Sequence, residues 1–274
     1  MSRASRLAAF ALFPVALLGA GAYQYFVRGA EAPTPTIIRH DEDAHRAVSM
    51  QPDVRLARLL AARPAPDRAA APKLIALTFD DGPYPVKTPL LLDVLADLHV
   101  PATFFLIGRD AQEFPEITAR IAREGHEIAN HTMTHPNLDA LGPDEIKREL
   151  EDAAGALGRF TSDSSVRTMM RPPHGRFTEA TVLAVQRAGF DVVLWTDDPG
   201  DWRTVGPQAI VDHMVEYATA PDLVLLHSGR LPTIEMIPEV VDRFRKAGFK
   251  FVTAEELLRE SGNDYLEHPV RVSI

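Results

Sequence analysis

The chain has 274 residues, 46% of them hydrophobic, which is enough for one α/β domain of generous size, a core to match, and additional segments. Its formal net charge of −9 argues against nucleic acid or an anionic membrane surface as the main partner, because phosphate recognition needs clustered Lys and Arg; a neutral glycan stays open. The absence of cysteine excludes disulfides, thiolate metal sites and a cysteine nucleophile.

Arg3 and Arg6 precede an apolar run over residues 7–22, followed by Tyr23-Gln24-Tyr25-Phe26-Val27. A basic start before an apolar stretch reads as an export signal. The run is long for a signal core and short for a spanning helix unless the aromatic residues extend it. Ala20-Gly21-Ala22 offers a small-residue cleavage site. Residues 1–27 are therefore expected to be a signal peptide or a membrane anchor, with the remainder extracytoplasmic: periplasmic, membrane-anchored or secreted. Residues 28–72 are rich in Ala, Pro, Arg and Asp. Pro33, Pro35, Pro52, Pro64, Pro66 and Pro72 break any long element, so this stretch reads as a linker or stalk with a short helix near 54–62.

At Lys73 the pattern changes. Short apolar runs predict strands at 74–79, 102–107, 127–130, 168–171, 191–195, 223–226 and 249–252. Amphipathic stretches between them predict helices near 90–98, 115–124, 144–157, 179–188, 207–218 and 237–247. Gly125, Gly189 and Gly248 fit the left-handed residue that stops a helix. Strands alternating with helices imply parallel pairing and right-handed crossovers. About seven parallel strands point to a (β/α) barrel over residues 73–260, with 261–274 as a C-terminal tail.

In such a barrel the active site forms at the C-terminal ends of the strands, and the unusual polar clusters fall there. The first strand runs into Asp80-Asp81-Gly82-Pro83, the third into His131-Thr132-Met133-Thr134-His135, the fourth into Arg171-Pro172-Pro173-His174-Gly175. The fifth leads to Asp198-Pro199-Gly200-Asp201-Trp202, and the sixth ends in His227. Two crowded carboxylates repel unless a cation neutralises one, so Asp80 and Asp81 suggest one metal ligand beside one general base. Asp-Gly-Pro is equally good turn chemistry. His131 and His135 are four apart, which on a helical turn puts both imidazoles on one face, as a divalent cation requires. The same spacing also occurs in capping or core histidines. His227 could donate a proton to a leaving amine or be a hydrogen-bonded core histidine. Arg171 could hold a carboxylate or make a surface salt bridge. Trp202 reads equally as a sugar platform or as core.

Taken together, segments 78–83, 131–135, 171–175, 198–202 and 225–227 resemble the five ordered motifs of the polysaccharide deacetylases (NodB-homology, carbohydrate esterase family 4). Ala102-Thr103-Phe104-Phe105 and Gly125-His126-Glu127-Ile128 also resemble that family. The resemblance covers roughly residues 73–258. It implies a distorted (β/α) barrel and a divalent metal, usually Zn2+, with Co2+, Mn2+ or Ni2+ as alternatives. Asp81, His131 and His135 match the metal triad, Asp80 the general base, His227 the general acid and Arg171 the arginine that holds the base. Asp201 matches the acid that tunes the catalytic histidine. Pro173, His174, Trp202 and Leu225 match substrate-binding positions: the backbone N–H at His174 for the oxyanion, Trp202 for the groove wall, Leu225 for the acetyl pocket. His174 departs from the family, which usually has Tyr or Phe there.

The implied activity is metal-dependent removal of acetyl groups from N-acetylated sugars of a cell-envelope or extracellular polysaccharide. The partner is an acetylated glycan, with no nucleic acid. An O-deacetylase acting on acetylated xylan is the enzymatic alternative. A non-catalytic glycan-binding protein should lack the base, the triad or the acid, and all are present.

Overall fold

The computed structural model describes residues 73–261 and the backbone of residues 271–272. The expected signal or anchor at 1–27, the linker at 28–72 and its short helix lie outside the described residues, as does most of the expected tail. No helix among the described residues is long and apolar enough to cross a membrane.

The strands are β1 (Leu74–Asp80), β2 (Thr103–Leu106), β3 (Glu127–Asn130), β4 (Met169–Met170), β5 (Asp191–Val192), β6 (Asp197–Asp198), β7 (Asp222–His227), β8 (Lys250–Phe251) and β9 (Arg271–Val272). The helices are α1 (Lys87–Asp97), α2 (Gly108–Glu113), α3 (Pro115–Arg123), α4 (Pro143–Leu157), α5 (Ser165–Thr168), α6 (Glu179–Arg187), α7 (Pro207–Tyr217), α8 (Leu231–Lys246) and α9 (Ala254–Ser261). The strands form one sheet in the order β5-β4-β3-β2-β1-β7-β6-β9, with β8 paired to the start of β1. The pairings are parallel. The sheet curls around a core but ends at β5 and β9, so it is a distorted, open barrel.

β1 is buried along its whole length, as a central parallel strand covered on both faces must be. Its residues alternate. Ile75, Leu77 and Phe79 pack outward with Leu91, Leu95, Phe104, Ile237 and Val240 under the helices. Leu74 and Ala76 pack inward with Phe105, Ala129, Met169, Val193, Trp195, Leu223 and Leu225. The inward row of β1 then turns polar at Thr78 and Asp80, that of β7 at His227, and that following β4 at Arg171. Period-two alternation therefore gives the barrel an apolar body and a polar mouth at the C-terminal strand ends. The opposite end is closed by α9, whose Ala254 and Leu257 join the inner core. There Thr103 Oγ1 donates to Glu127 Oε2 at 2.6 Å and accepts from the Ala254 N–H at 2.8 Å.

Four differences from the sequence reading have physical causes. β5 is shorter than expected and is followed by the two-residue β6, which owes its existence to pairing with β7 and β9. α8 begins six residues before the expected 237, at Leu231. Pro232 sits in its first turn, where a missing N–H costs nothing, and Pro238 is carried by the buried Ile234, Met236, Ile237, Val240, Val241 and Phe244. The short helices α2 and α5 and the C-terminal α9 have no long amphipathic signature. The stretch 131–135, expected as a helical turn, is a loop: Thr132 and His135 have φ of 69° and 62°, which no helix accommodates.

Candidate active site

Asp80 is the last residue of β1 and points into the mouth by the alternation of the strand. Asp81 would point away, but its φ of 68°, followed by 71° at Gly82, reverses the chain. Both carboxylates thus reach the same space. Asp81 Oδ1 lies 3.6 Å from His131 Nε2 and 3.2 Å from His135 Nε2. The two imidazole Nε2 atoms are 3.2 Å apart. His131 Nδ1 is 2.8 Å from the Arg171 carbonyl oxygen, which can only accept. Nδ1 therefore carries the proton, and Nε2 turns its lone pair toward Asp81 and His135.

These three residues fit a divalent ion. Their ligand atoms lie within 4.8 Å of one another. The nearest spacings are those of donors sharing one ion with bonds of about 2.0–2.2 Å. Two imidazole nitrogens and one carboxylate suit Zn2+ and its first-row neighbours better than Mg2+ or Ca2+. Burial raises the pKa of Asp81, yet its bond to His135 and the charges of His131, His227 and His135 outweigh this and hold it well below the usual carboxylate range. Burial pushes the His131 imidazole down, toward the neutral form. Both are the forms a metal needs.

Beside this trio stands a buried ion pair. Arg171 is 0% exposed. Its Nη1 donates to Asp80 Oδ1 and to Thr78 Oγ1, each at 2.7 Å, while Nε and Nη2 donate to the carbonyls of Val193 and Leu194 at 3.2 and 2.9 Å. Its guanidinium carbon lies 4.1 Å from the centroid of the Phe105 ring. The other Asp80 oxygen, Oδ2, faces His131 Nε2 at 3.9 Å. Losing one member of such a pair typically costs about 3–5 kcal/mol, because the other charge is stranded.

The end of β7 adds an acid–histidine couple. His227 Nδ1 lies 2.8 Å from Asp201 Oδ1. Asp201 Oδ2 accepts from the His227 backbone N–H at 2.8 Å and from Thr233 Oγ1 at 2.6 Å. The Nδ1 proton is committed to Asp201, which leaves Nε2 for chemistry.

Residues 67–193 match the family described as polysaccharide deacetylase. A peptidoglycan-N-acetylglucosamine deacetylase of Bacillus cereus is 37% identical over 192 residues, covering 68% of this chain and 89% of that protein. The chain belongs to the polysaccharide deacetylase family. A chitooligosaccharide deacetylase of Sinorhizobium fredii is 41% identical over 170 residues, covering 62% of this chain and 79% of the relative. Among solved structures, a peptidoglycan N-acetylglucosamine deacetylase in complex with 4-naphthalen-1-yl-N-oxidanyl-benzamide superposes with a TM-score of 0.66 at 31% identity, covering 72% of this chain and 92% of that one.

The remaining residues expected from the sequence lie around the same mouth. Pro173 is buried and His174 exposed, with its ring edge-on to His135 at 4.4 Å between centroids. His174 and Gly175 have φ of 59° and 62°, and a Cβ on Gly175 would lie 2.8 Å from the Trp195 ring. Leu225 is buried in the inner core. Trp202 is partly buried, its Nε1 donating to Asp198 Oδ2 at 3.3 Å. The Arg203 guanidinium lies over its ring at 4.7 Å from the centroid. Among the described residues, four of the five non-glycine residues with positive φ are Asp81, Thr132, His135 and His174. Such strain collects at functional sites. Asp198, Thr78 and Thr233 were not singled out from the sequence, though the first two lie inside the quoted motifs. Thr233, in the first turn of α8, carried no signal.

Proposed function

We propose that this protein is a divalent-metal-dependent deacetylase that removes acetyl groups from GlcNAc-type sugars of an envelope or extracellular polysaccharide. The observation that carries the reading is a convergence at one barrel mouth. The Asp81–His131–His135 trio stands beside a carboxylate held by Arg171 and a histidine held by Asp201. The two sequence relatives described above are named for deacetylation of peptidoglycan N-acetylglucosamine and of chitooligosaccharide, which share that acetylated sugar.

In this reading Asp81, His131 and His135 hold the ion, most simply Zn2+, with Co2+, Mn2+ or Ni2+ as substitutes. When bound, the ion supplies Lewis acidity that makes water a stronger nucleophile and polarises the acetyl carbonyl. Asp80 takes the proton of the attacking water at Oδ2, the oxygen that Arg171 does not engage. The hydroxyl of that water adds to the acetyl carbon, and the His174 backbone N–H is assigned to the developing oxyanion. As the C–N bond breaks, His227 Nε2 delivers its proton to the sugar nitrogen, and acetate and a free amine leave. Trp202 and Leu225 are assigned to the sugar and the acetyl methyl.

The test is acetate release from GlcNAc oligomers, peptidoglycan and acetylxylan, with chelator and with added zinc. Release from the GlcNAc substrates that chelation abolishes and zinc restores is expected. Release from acetylxylan alone would make the protein an O-deacetylase, and release indifferent to chelation would remove the ion from the reading. The basic start and apolar run at the N-terminus support export, with the barrel outside and the chain anchored or released. A C-terminal reporter that works only in the cytoplasm would refute this.

A further inference from the structure

Every backbone N–H of the loop that carries both imidazoles of the trio donates a hydrogen bond. The His131 N–H donates to the Leu106 carbonyl at 3.0 Å, continuing the sheet ladder. The Thr132 N–H donates to Asn130 Oδ1 at 2.8 Å, and the His135 N–H to Thr132 Oγ1 at 3.0 Å. The two N–H groups between them, of Met133 and Thr134, both donate to one oxygen of Glu149, Oε2, at 2.9 and 2.8 Å. The other oxygen, Oε1, accepts from Thr134 Oγ1 at 2.8 Å. Glu149 stands on α4, whose Ile146, Leu150 and Ala153 are buried, and the Leu150 carbonyl accepts from Asn130 Nδ2 at 2.9 Å. On the other side, the Gly108 and Arg109 N–H groups of α2 donate to the carbonyls of Thr132 and Met133 at 2.9 and 3.0 Å.

The loop needs this fastening. Thr132 and His135 both sit at positive φ, a conformation that non-glycine residues hold only when their surroundings over-determine it. His131 is fixed by the sheet and by its Nδ1 bond to Arg171. Among the described residues, no hydrogen bond holds the His135 ring from outside the trio: its Nε2 contacts are to Asp81 and His131, and the exposed His174 ring alone packs edge-on against it. The position of His135 therefore depends on the backbone of the turn before it, and Glu149 is the side chain that grips that turn.

We propose that Glu149 is a positioning residue for the metal site: it fixes the 132–135 turn so that His135 meets Asp81 and His131 at ligand spacing. The inference rests on the metal-dependent reading above. Glutamine can reproduce the contacts, its amide oxygen taking both N–H groups and its NH2 group donating to Thr134 Oγ1. Alanine removes all three contacts. Aspartate keeps the charge but withdraws the oxygens by one bond.

The experiment measures zinc affinity of the full chain by competition with a chromogenic chelator, together with the melting temperature of the chelator-treated protein. Loss of a residue that orients a ligand typically weakens metal binding about 10–100-fold. E149A is expected to lose affinity in that range and E149D to lose it in the same direction, with E149Q closest to wild type. Cobalt-loaded E149A should show an altered visible spectrum. A merely structural role would lower the melting temperature and leave affinity and spectrum unchanged, which overturns the proposal, as would E149Q failing as badly as E149A. Should E149A not fold, E149D carries the same comparison. Wild-type chain that binds no zinc overturns the metal reading and this inference with it; wild type that binds beside an E149A that binds equally overturns this inference alone.

Discussion

Asp201 and His227 are joined twice, by a 2.8 Å contact from the ring Nδ1 to Oδ1 and a 2.8 Å bond from the backbone N–H to Oδ2. The carboxylate thus fixes both the tautomer and the placement of the ring. Burial works against a charged imidazole here, but the bond to Asp201 and the charges of Asp201, Asp80 and Asp81 outweigh it and push the pKa up to about 9. An unfolded histidine titrates near 6.5. A folded-state pKa above the unfolded one contributes stability that is fully present below about pH 6.5 and is lost as pH rises through about 9. Chelator-treated protein should therefore lose up to about 3 kcal/mol of folding stability across that window beyond whatever His227→Gln loses. Denaturant melts at a series of pH values check this, and parallel curves for the two proteins would contradict it.

The same pair sets the alkaline limb of activity if His227 is the acid. Asp201→Asn removes the largest upward influence on the ring, so the limb should move to lower pH and kcat should fall. A pH–rate profile of Asp201→Asn displaced downward without a shift of the limb would assign Asp201 to packing alone.

The trio predicts about one divalent ion per chain. His131→Ala removes the buried imidazole that the Arg171 carbonyl orients, and His135→Ala the more exposed one. Each should abolish most of the bound metal, measured by elemental analysis after dialysis against a trace of zinc. Full occupancy in either variant would break the assignment of that residue.

Much of this site is legible in the sequence because most of its motifs lie at or just beyond the C-terminal ends of strands. β1 and β3 are short buried runs ended by charged or imidazole side chains, so both the strand and the direction of its last residue can be read from alternation. The conformation of 131–135 cannot. A spacing of four suggests a helical turn, yet the loop holds positive φ at two non-glycine residues through bonds from Asn130 and Glu149, and Glu149 is distant in sequence. β6 is equally hidden, because two residues carry no period and its pairing with β7 and β9 is non-local. The Pro238 inside α8 obscured the first turns of that helix, where Thr233 supports Asp201.

Asp80 is bonded through Oδ1 to an arginine that has no exposure to solvent. Asp80→Asn keeps the size of the side chain but cannot accept a proton, so kcat should drop by about 10²–10⁴. Asp80 is outside the trio, so metal content should stay near one ion. Thr78→Val removes an acceptor from Arg171 Nη1 and is expected to cost activity less than Asp80→Asn does. If Thr78→Val proved the more damaging, the orientation of Arg171, not proton transfer at Asp80, would be the feature that limits the rate.

The leaving group separates the two proton-transfer roles. His227→Ala removes the donor to a sugar nitrogen, which is a poor leaving group without a proton. Deacetylation of a GlcNAc oligomer should then fall by about 10²–10⁴. An activated acetyl ester, whose leaving group departs as a stable anion, needs no such proton and should be hydrolysed by His227→Ala far better than the sugar amide is. The same ester should remain a poor substrate for Asp80→Asn, because water must be deprotonated in both reactions. Both variants must first be shown to hold metal and to melt cooperatively. His227 neighbours Asp201, Thr233 and the β1–β7 seam, so its loss could loosen the mouth without any chemical effect. If His227→Ala lost ester and amide hydrolysis in equal measure with fold and metal intact, the acid role would fall. The ring would then be assigned to stabilising the charge that both reactions develop at the carbonyl oxygen.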